Sequence, residues 1–569
     1  MATAPTGFWG GCAFGRVRMK GGATPAAARS HRDRRASEWI VSRLALITIS
    51  ALLLGGCAGM IPGSDFKRVE SAALANPEAT KIGQAFAAAA RGQPGKSAFR
   101  LLPVGLDGFA MRMQMVERAE RTVDLQYYII QEDDTGRLLT DALIRAADRG
   151  VRVRILIDDA TTTEREATIH TLSAHPGIEL RLFNPYFYRG FSTVVRGAEF
   201  VLNSTRLDYR MHNKLLAVDN AMALAGGRNI GNEYFQVGGD FEFGDYDIFG
   251  AGPVVGKLSE QFDIYWKNPL AVPVEALNRG KPSAESFAAL RKSLDDDRTR
   301  LAQTEYVLRQ MSGEPLTTLL AGKVPLEWAE ATVIFDSPDK AKVEKGEIAG
   351  QLMHRTLAVA TAAATSEIIM VSPYLVPGPE GLALLQKMRS QNVRIRILTN
   401  SLQSNDVPLA QSGYMRYRNR LVDSGVELFE VRPSLGAPGG SGGSGGKLTS
   451  GNSGRFALHA KVYVFDRQRI VIGSMNFDQR SLHLNTELGL LIESPELARQ
   501  VAARFEAIAQ PANSYQVLNR PDNTSPSRRL VWRTEENKVL VEHELEPAEN
   551  VCQRVRVNIY SWLPLDSEL

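Results

Sequence analysis

One pattern occurs twice in this chain and limits its possible folds more than any other feature. His212-Asn213-Lys214 is followed after four residues by Asp219, and after six more by Gly226-Gly227-Arg228-Asn229. His459-Ala460-Lys461, Asp466 and Gly473-Ser474-Met475-Asn476 repeat that spacing. Both copies read H-x-K-x4-D-x6-G-[GS]-x-N. The flanking sequence repeats too. Residues 120–159 read as strand, helix, strand: Val123–Ile130 is rich in β-formers, Thr135–Arg149 has helical apolar spacing, and Val151–Ile157 is apolar. The same order returns over 366–400, as Glu367–Tyr374, a helix near Gly381–Arg389, and Val393–Thr399. Strands alternating with helices predict βαβ units and a parallel or mixed sheet. A duplicated frame predicts two similar α/β halves.

The spacing carries chemistry. Alternate residues of an extended strand share a face, so His212 projects with Lys214 and His459 with Lys461. Glycine at 226 and 473 lets the backbone approach a ligand closely, and Asn229 and Asn476 then offer amide donors. A third element repeats: six residues separate Asp245 from Gly252-Pro253 and Glu487 from Ser494-Pro495. Each acid falls about thirty residues after its histidine, 33 in the first copy and 28 in the second. A carboxylate bonded to one ring nitrogen would fix the tautomer and stabilise the imidazolium. Asp247 competes with Asp245 for that role. Asp219 and Asp466 either belong to the catalytic set or satisfy local backbone and lysine groups. A lone histidine, lysine or aspartate is ordinarily structural; the joint repetition is what argues for catalysis.

The amino terminus reads as an export signal. Arginines at 29, 32, 34, 35 and 43 precede an apolar run from Leu44 to Leu54. That run is too short for a bilayer crossing of about 20 residues, and the order basic, apolar, small is the signal-peptide pattern. It ends Leu54-Gly55-Gly56-Cys57. This resembles the lipobox of bacterial lipoproteins, in which the cysteine is acylated. The alternatives are a plain cleaved signal or an uncleaved anchor. Ala58 after the cysteine leans toward the outer membrane, and Met19 is an alternative start. The chain has 569 residues and three distant cysteines, Cys12, Cys57 and Cys552, with no CxxC spacing, so no disulfide framework or zinc site is indicated. A net charge of +4 is mild for a nucleic-acid binder and suits anionic headgroups equally well. The predicted organisation is a signal segment (1–57), an N-terminal linker or helix (58–95), a first half (96–255), a helical connection (256–330), a second half (331–510) and a C-terminal extension (511–569). The glycine- and serine-rich stretch Gly436–Gly454 cannot form a core. It reads as a passive loop, or as a mobile rim, because it runs up to the second motif.

The paired H-x-K-D motifs resemble the signature of the phospholipase D superfamily over roughly residues 95–510. Longer strings are similar to C-type bacterial cardiolipin synthases: Gly226 through Phe235, Leu398 through Leu402 continuing to Asp406-Val407 and Tyr417-Arg418, Asn476 through Glu487, and the tail Trp562–Leu569. Gln411 stands where that family resemblance leads one to expect histidine, and the insert before His459 is longer. The resemblance implies two α/β halves (mixed sheets flanked by helices) with one active site at their interface. It implies a phosphatidyltransferase working through a phosphohistidine without metal or cofactor. His212 would be the nucleophile and His459 the acid, with Lys214, Lys461, Asn229 and Asn476 around the phosphate. The expected partners are phospholipids (phosphatidylglycerol, and phosphatidylethanolamine as a further donor) at a membrane of the bacterial envelope, facing the periplasm, and not nucleic acid. A hydrolytic phospholipase D, a nuclease and a noncatalytic scaffold are the rival readings. The aromatic segment from Asn184 to Phe191 either lines a lipid entrance or packs as an ordinary loop.

Overall fold

The structure, a computed structural model, describes residues 61–562 apart from 64, 239–240, 278–281, 312–313, 437–454 and 522–527. The export signal with Cys57, most of the glycine-rich insert and the tail after Trp562 lie outside the described residues.

The duplication is explicit in the strand order. The first half runs, neighbour to neighbour, Ala271–Pro273, Ile178–Phe183, Arg152–Asp158, Thr122–Tyr127, Leu215–Val218, Met222–Gly226, Asp247–Ala251 and Ser97–Leu102. The second runs Ser514–Pro521, Glu427–Val431, Arg394–Asn400, Glu367–Val371, Val462–Phe465, Arg469–Gly473, Leu488–Glu493 and Glu327–Phe335. Two parallel pairings occupy the same place in each series and the rest are antiparallel. Ser97–Leu102 pairs antiparallel with Glu327–Phe335, joining both halves into one 18-stranded sheet. The strand Ser514–Pro521 carries the second half past the expected limit at residue 510, and two further strands and the helix Val551–Tyr560 follow it.

Alternation in the strands separates the cores. Leu215 and Ala217 face the interior shared by the halves, while Leu216 and Val218 face the outer core of the first half. Val462 and Val464 face the same shared interior, and Tyr463 and Phe465 the outer core of the second. Helices Pro253–Lys267 and Pro495–Ile508 contribute Leu258, Phe262 and Trp266, and Leu497, Val501 and Phe505, to that shared core. Each follows the equivalent strand of its half, and a proline sits in its first turn, where no amide partner is needed. Outside, Asp134–Asp148 is capped by Asp133, whose carboxylate accepts from the Gly136 amide at 3.0 Å. Gly378–Ser390 is its counterpart. Among the described residues no helix is long and apolar enough to cross a membrane.

Candidate active site

Both histidine–lysine pairs sit just before a strand rather than inside one; the strands begin at Leu215 and Val462. Each lead-in is held by the other half. The Ala460 and His459 amides donate to Gly244 O at 3.1 and 2.8 Å, and Arg455–Leu458 pairs with Phe241–Gly244. The His212 amide donates to Thr486 O at 2.9 Å and Thr486 donates to Arg210 O at 2.8 Å. The residue after Gly244 is Asp245, and the residue after Thr486 is Glu487.

This exchange decides which acid serves which histidine. Sequence order pairs Asp245 with His212 and Glu487 with His459, and the structure crosses them. His459 Nδ1 lies 2.6 Å from Asp245 Oδ2. His212 Nδ1 lies 2.9 and 3.1 Å from the two oxygens of Glu487. Asp247 is excluded from that role, because its carboxylate accepts from Arg112 at 2.8 and 2.9 Å and from Arg228 at 2.9 Å. Arg228 also donates to the Asp245 backbone carbonyl, so the unassigned motif position braces the acid.

Lys214 Nζ donates to His212 O at 2.6 Å, and Lys461 Nζ reaches His459 O and lies 3.0 Å from His459 Nδ1. The four side chains are buried, with His212 and His459 at 7% and 6% exposure. Burial, and then the two ammonium groups, hold both imidazoles well below the ordinary histidine range. Each histidine is thus kept neutral, with one ring nitrogen on a carboxylate. Burial also pulls Lys461 down to about 8 and Lys214 well below its ordinary value, against the opposing pull of Asp245 and Glu487. Burial pushes Glu487 up to about 7 and raises Asp245. Two lysines, two carboxylates and two neutral imidazoles leave this cluster with nearly balanced charge until an anion enters.

Asn229 Nδ2 donates to Tyr234 Oη at 3.0 Å, and its Oδ1, an acceptor, is buried without a partner among the described residues. Asn476 Oδ1 is buried and unpartnered in the same way, so each amide has to turn to present its NH2 to an anion. The glycines are required by the sheet itself. A Cβ on Gly226 would meet Tyr246 O at 2.4 Å, and one on Gly473 would meet Leu488 O at 2.3 Å, so both admit the neighbouring strand.

Asp219 and Asp466 are not brought to the imidazoles. They lie beyond the far end of four-residue strands, about 13 Å of extended chain away. Asp219 accepts from the Glu120, Arg121 and Thr122 amides at 2.8–2.9 Å, and Asp466 from those of Thr365, Ser366 and Glu367 at 2.7–3.1 Å. Both adopt a left-handed backbone that aspartate tolerates better than most residues. These bonds tie the motif hairpin to the start of the strand it pairs with.

Several contributors have no motif signal. The Tyr128 ring meets His212 edge-on at 5.0 Å and lies 5.5 Å from Lys214 Nζ. Tyr234 and Phe243 each lie 5.1 Å from the His459 ring. The Ser474 hydroxyl donates to Glu487, and the G-[GS] position could have marked it: at Gly227 a Cβ would collide with Asp245. A buried pair, Lys340 with Asp336 at 2.9 Å, supports Glu487 through its amide. Gln411, where histidine was expected, donates to Glu546 at 2.9 Å and so fastens the C-terminal extension. The segment from Asn184 to Phe191 is divided: Asn184 and Tyr186 are buried, whereas Phe187 and Phe191 are exposed.

Known proteins are similar to this chain. The family model described as cardiolipin synthase, PLD-like domain matches twice, at residues 113–266 and 358–509. Cardiolipin synthase C of Escherichia coli (strain K12) is 38% identical over 474 residues, 83% of this chain and 96% of that protein. Cardiolipin synthase A of Pseudomonas fluorescens is 25% identical over 411 residues, 72% of this chain and 67% of that protein. The crystal structure of phosphatidylserine synthase from Haemophilus influenzae aligns with 77% of this chain and 92% of its own at 15% identity, with a TM-score of 0.49. The two matched regions cover more than half of the sequence and each contains one histidine–lysine motif, so this chain belongs to the cardiolipin synthase, phospholipase D-like family.

Proposed function

We propose that this chain is a phosphatidyltransferase that makes cardiolipin from phosphatidylglycerol and a second phospholipid through a phosphohistidine. The observation that carries this reading is the crossed pair of imidazole–carboxylate units, His212 with Glu487 and His459 with Asp245, beside two buried lysines. A phosphodiester repels nucleophiles by its charge and has a poor alkoxide leaving group; catalysis must answer both. Lys214, Lys461, Asn229 and Asn476 surround the nonbridging oxygens. His212 Nε2, neutral and with its other nitrogen on Glu487, attacks phosphorus. The negative phosphate raises the proton affinity of His459, which protonates the departing headgroup oxygen as the P–O bond breaks. The glycerol hydroxyl of phosphatidylglycerol then gives its proton to His459 and attacks phosphorus. The P–N bond breaks, and cardiolipin leaves with His212 restored.

The substrates are phosphatidylglycerol and, as a further donor, phosphatidylethanolamine. The halves are taken as 96–255 and 331–510, joined by 256–330, with Ala271–Pro273 and Ser514–Pro521 each adding an outer strand from beyond those limits. Acylation at Cys57 would anchor the chain to the bacterial envelope, facing the periplasm. The test is lipid mass spectrometry of cells lacking other synthases, with this chain or its His212→Ala variant. Purified protein on phosphatidylglycerol vesicles should release cardiolipin and glycerol together. Phosphatidic acid as the sole product would replace the synthase reading with a hydrolase.

A further inference from the structure

The helix Thr193–Leu202 has its polarity reversed. Its inward side is polar. Glu199 is buried and accepts from the Phe187 and Tyr188 amides at 2.7 and 3.0 Å. Arg196 donates to Asp159 O at 2.9 Å and lies 4.0 Å from the Tyr186 ring centroid. Its outward side is apolar, with Val194 79%, Val195 45%, Val201 73% and Leu202 41% exposed, and Phe191 just ahead at 76%. Arg196 and Glu199 are the only charged residues from Phe191 to Leu202, and both turn inward, so no charge interrupts the outer face. A surface helix ordinarily shows the opposite arrangement, and a contiguous exposed apolar face marks an interaction surface.

The face leads along the chain to the site. From Leu202 the chain runs through Asn203–Arg210 directly to His212. Asn184 holds that connection by donating to Arg206 O and Tyr209 O at 2.8 and 2.7 Å. A second apolar stripe stands at the other lead-in. Val551, Val555 and Ile559, four residues apart on Val551–Tyr560, are 68%, 51% and 53% exposed, and Trp562 follows at 84%. Gln553 of that helix donates to Leu402 O at 2.9 Å, and Glu549 pairs with Arg455, four residues before His459.

We infer that the outer face of Thr193–Leu202 docks onto the surface of a phospholipid bilayer and so holds the segment that leads to His212 beside the lipid the enzyme draws from. This rests on the phosphatidyltransferase reading for the identity of the cargo. A ten-residue helix is about 15 Å long. Its outer stripe falls well short of the roughly 800 Å² per partner that a stable protein interface needs, which disfavours a second copy of the chain. A bilayer accepts such a face by burying it about 5–10 Å into the headgroup boundary.

The experiment uses the full chain carrying Cys57→Ser, so that an acyl group there does not mask weaker binding. Wild-type helix, Val194→Asp/Val201→Asp, and a control at the exposed Val359 (Val359→Asp) are floated with phosphatidylglycerol–phosphatidylethanolamine vesicles. Turnover is measured on the same vesicles and on a short-chain phosphatidylglycerol below its micellar concentration. The double variant should lose about ten-fold or more in vesicle binding and vesicle turnover, keep turnover of the dispersed lipid within about two-fold, and leave the control unaffected. Unchanged vesicle binding by the double variant overturns the inference, as does a variant that breaks an oligomer on sizing. Vesicle binding that depends on the helix in a protein inactive on both lipids would support the docking and sink the transferase reading.

Discussion

Asp245, from the first half, holds the imidazole of His459, from the second, at 2.6 Å, and Glu487 returns the arrangement to His212. Neither half contains a complete imidazole–carboxylate unit. The crossing makes each histidine depend on the opposite half for its acid.

If His212 is the nucleophile, Glu487 serves attack and Asp245 serves proton transfer. A phosphatidyl ester of p-nitrophenol leaves without needing an acid. His459→Ala and Asp245→Asn should therefore release about one equivalent of nitrophenol in a burst and retain a phosphatidyl adduct on the peptide containing His212. His212→Ala should give no burst, and Glu487→Gln a burst slowed by about 10²-fold or more. Rapid-quench kinetics with peptide mass spectrometry decides; an adduct on the His459 peptide reverses the assignment.

The site should work in a narrow pH window. Glu487 must be ionised to hold His212, and burial places it at about 7. Lys461 must be charged to face the phosphate, and burial places it at about 8. The rate should rise as pH climbs through the first value and fall as it passes the second. Lys461→Arg, whose guanidinium stays charged, should move the alkaline limb upward by more than about one pH unit, even with a lower maximum. A limb unmoved by that substitution would exclude Lys461 as its origin.

Function at Glu487 should cost stability. Its folded-state proton affinity lies above the ordinary value of 4.5, at about 7. The folded chain then binds more protons than the unfolded chain between those values, so stability falls as pH rises through them and the deficit is complete above 7. Glu487→Gln should raise stability at pH 8 by ~1–3 kcal/mol while abolishing most transfer, and the gain should disappear near pH 4. Thermal melts at both values test this; equal melting temperatures at pH 8 would contradict it.

Asp219 and Asp466 should matter to folding rather than to chemistry. Alanine at either leaves strand-end amides without their acceptor, a loss of ~1–3 kcal/mol, with turnover per folded molecule within about three-fold of wild type. Burial pushes the Asp466 carboxyl up, but the amides of Glu367, Thr365 and Ser366 outweigh it and bring it down to about 2 from 3.8. Its stabilisation is therefore complete above about pH 4 and lost as pH falls through 2. Solvent exposure limits that part to about 1 kcal/mol. Urea titrations at pH 7 and pH 3, beside turnover at pH 7, separate the two roles. A turnover loss of a hundred-fold with unchanged stability would restore them to the catalytic set.

Sequence by itself determined the duplicated frame, the strand–helix–strand order of each half and the identity of both histidine–lysine pairs. Those features are local: they depend on spacing within some forty residues and on apolar periodicity, and a chain displays both without folding. Tertiary structure decided that Asp245 serves His459 and Glu487 serves His212, that Asp247 belongs to Arg112 and Arg228, and that Asp219 and Asp466 bond amides about a hundred residues upstream. It also decided that Gly226 and Gly473 make room for a neighbouring strand. In each case the partner lies far along the chain or in the opposite half. It is reached only when Phe241–Gly244 pairs with Arg455–Leu458 and Thr486 pairs with the segment before His212. Repetition reveals that two halves are alike, but the symmetry that relates them exchanges their parts, and only the packed sheets fix which part goes where.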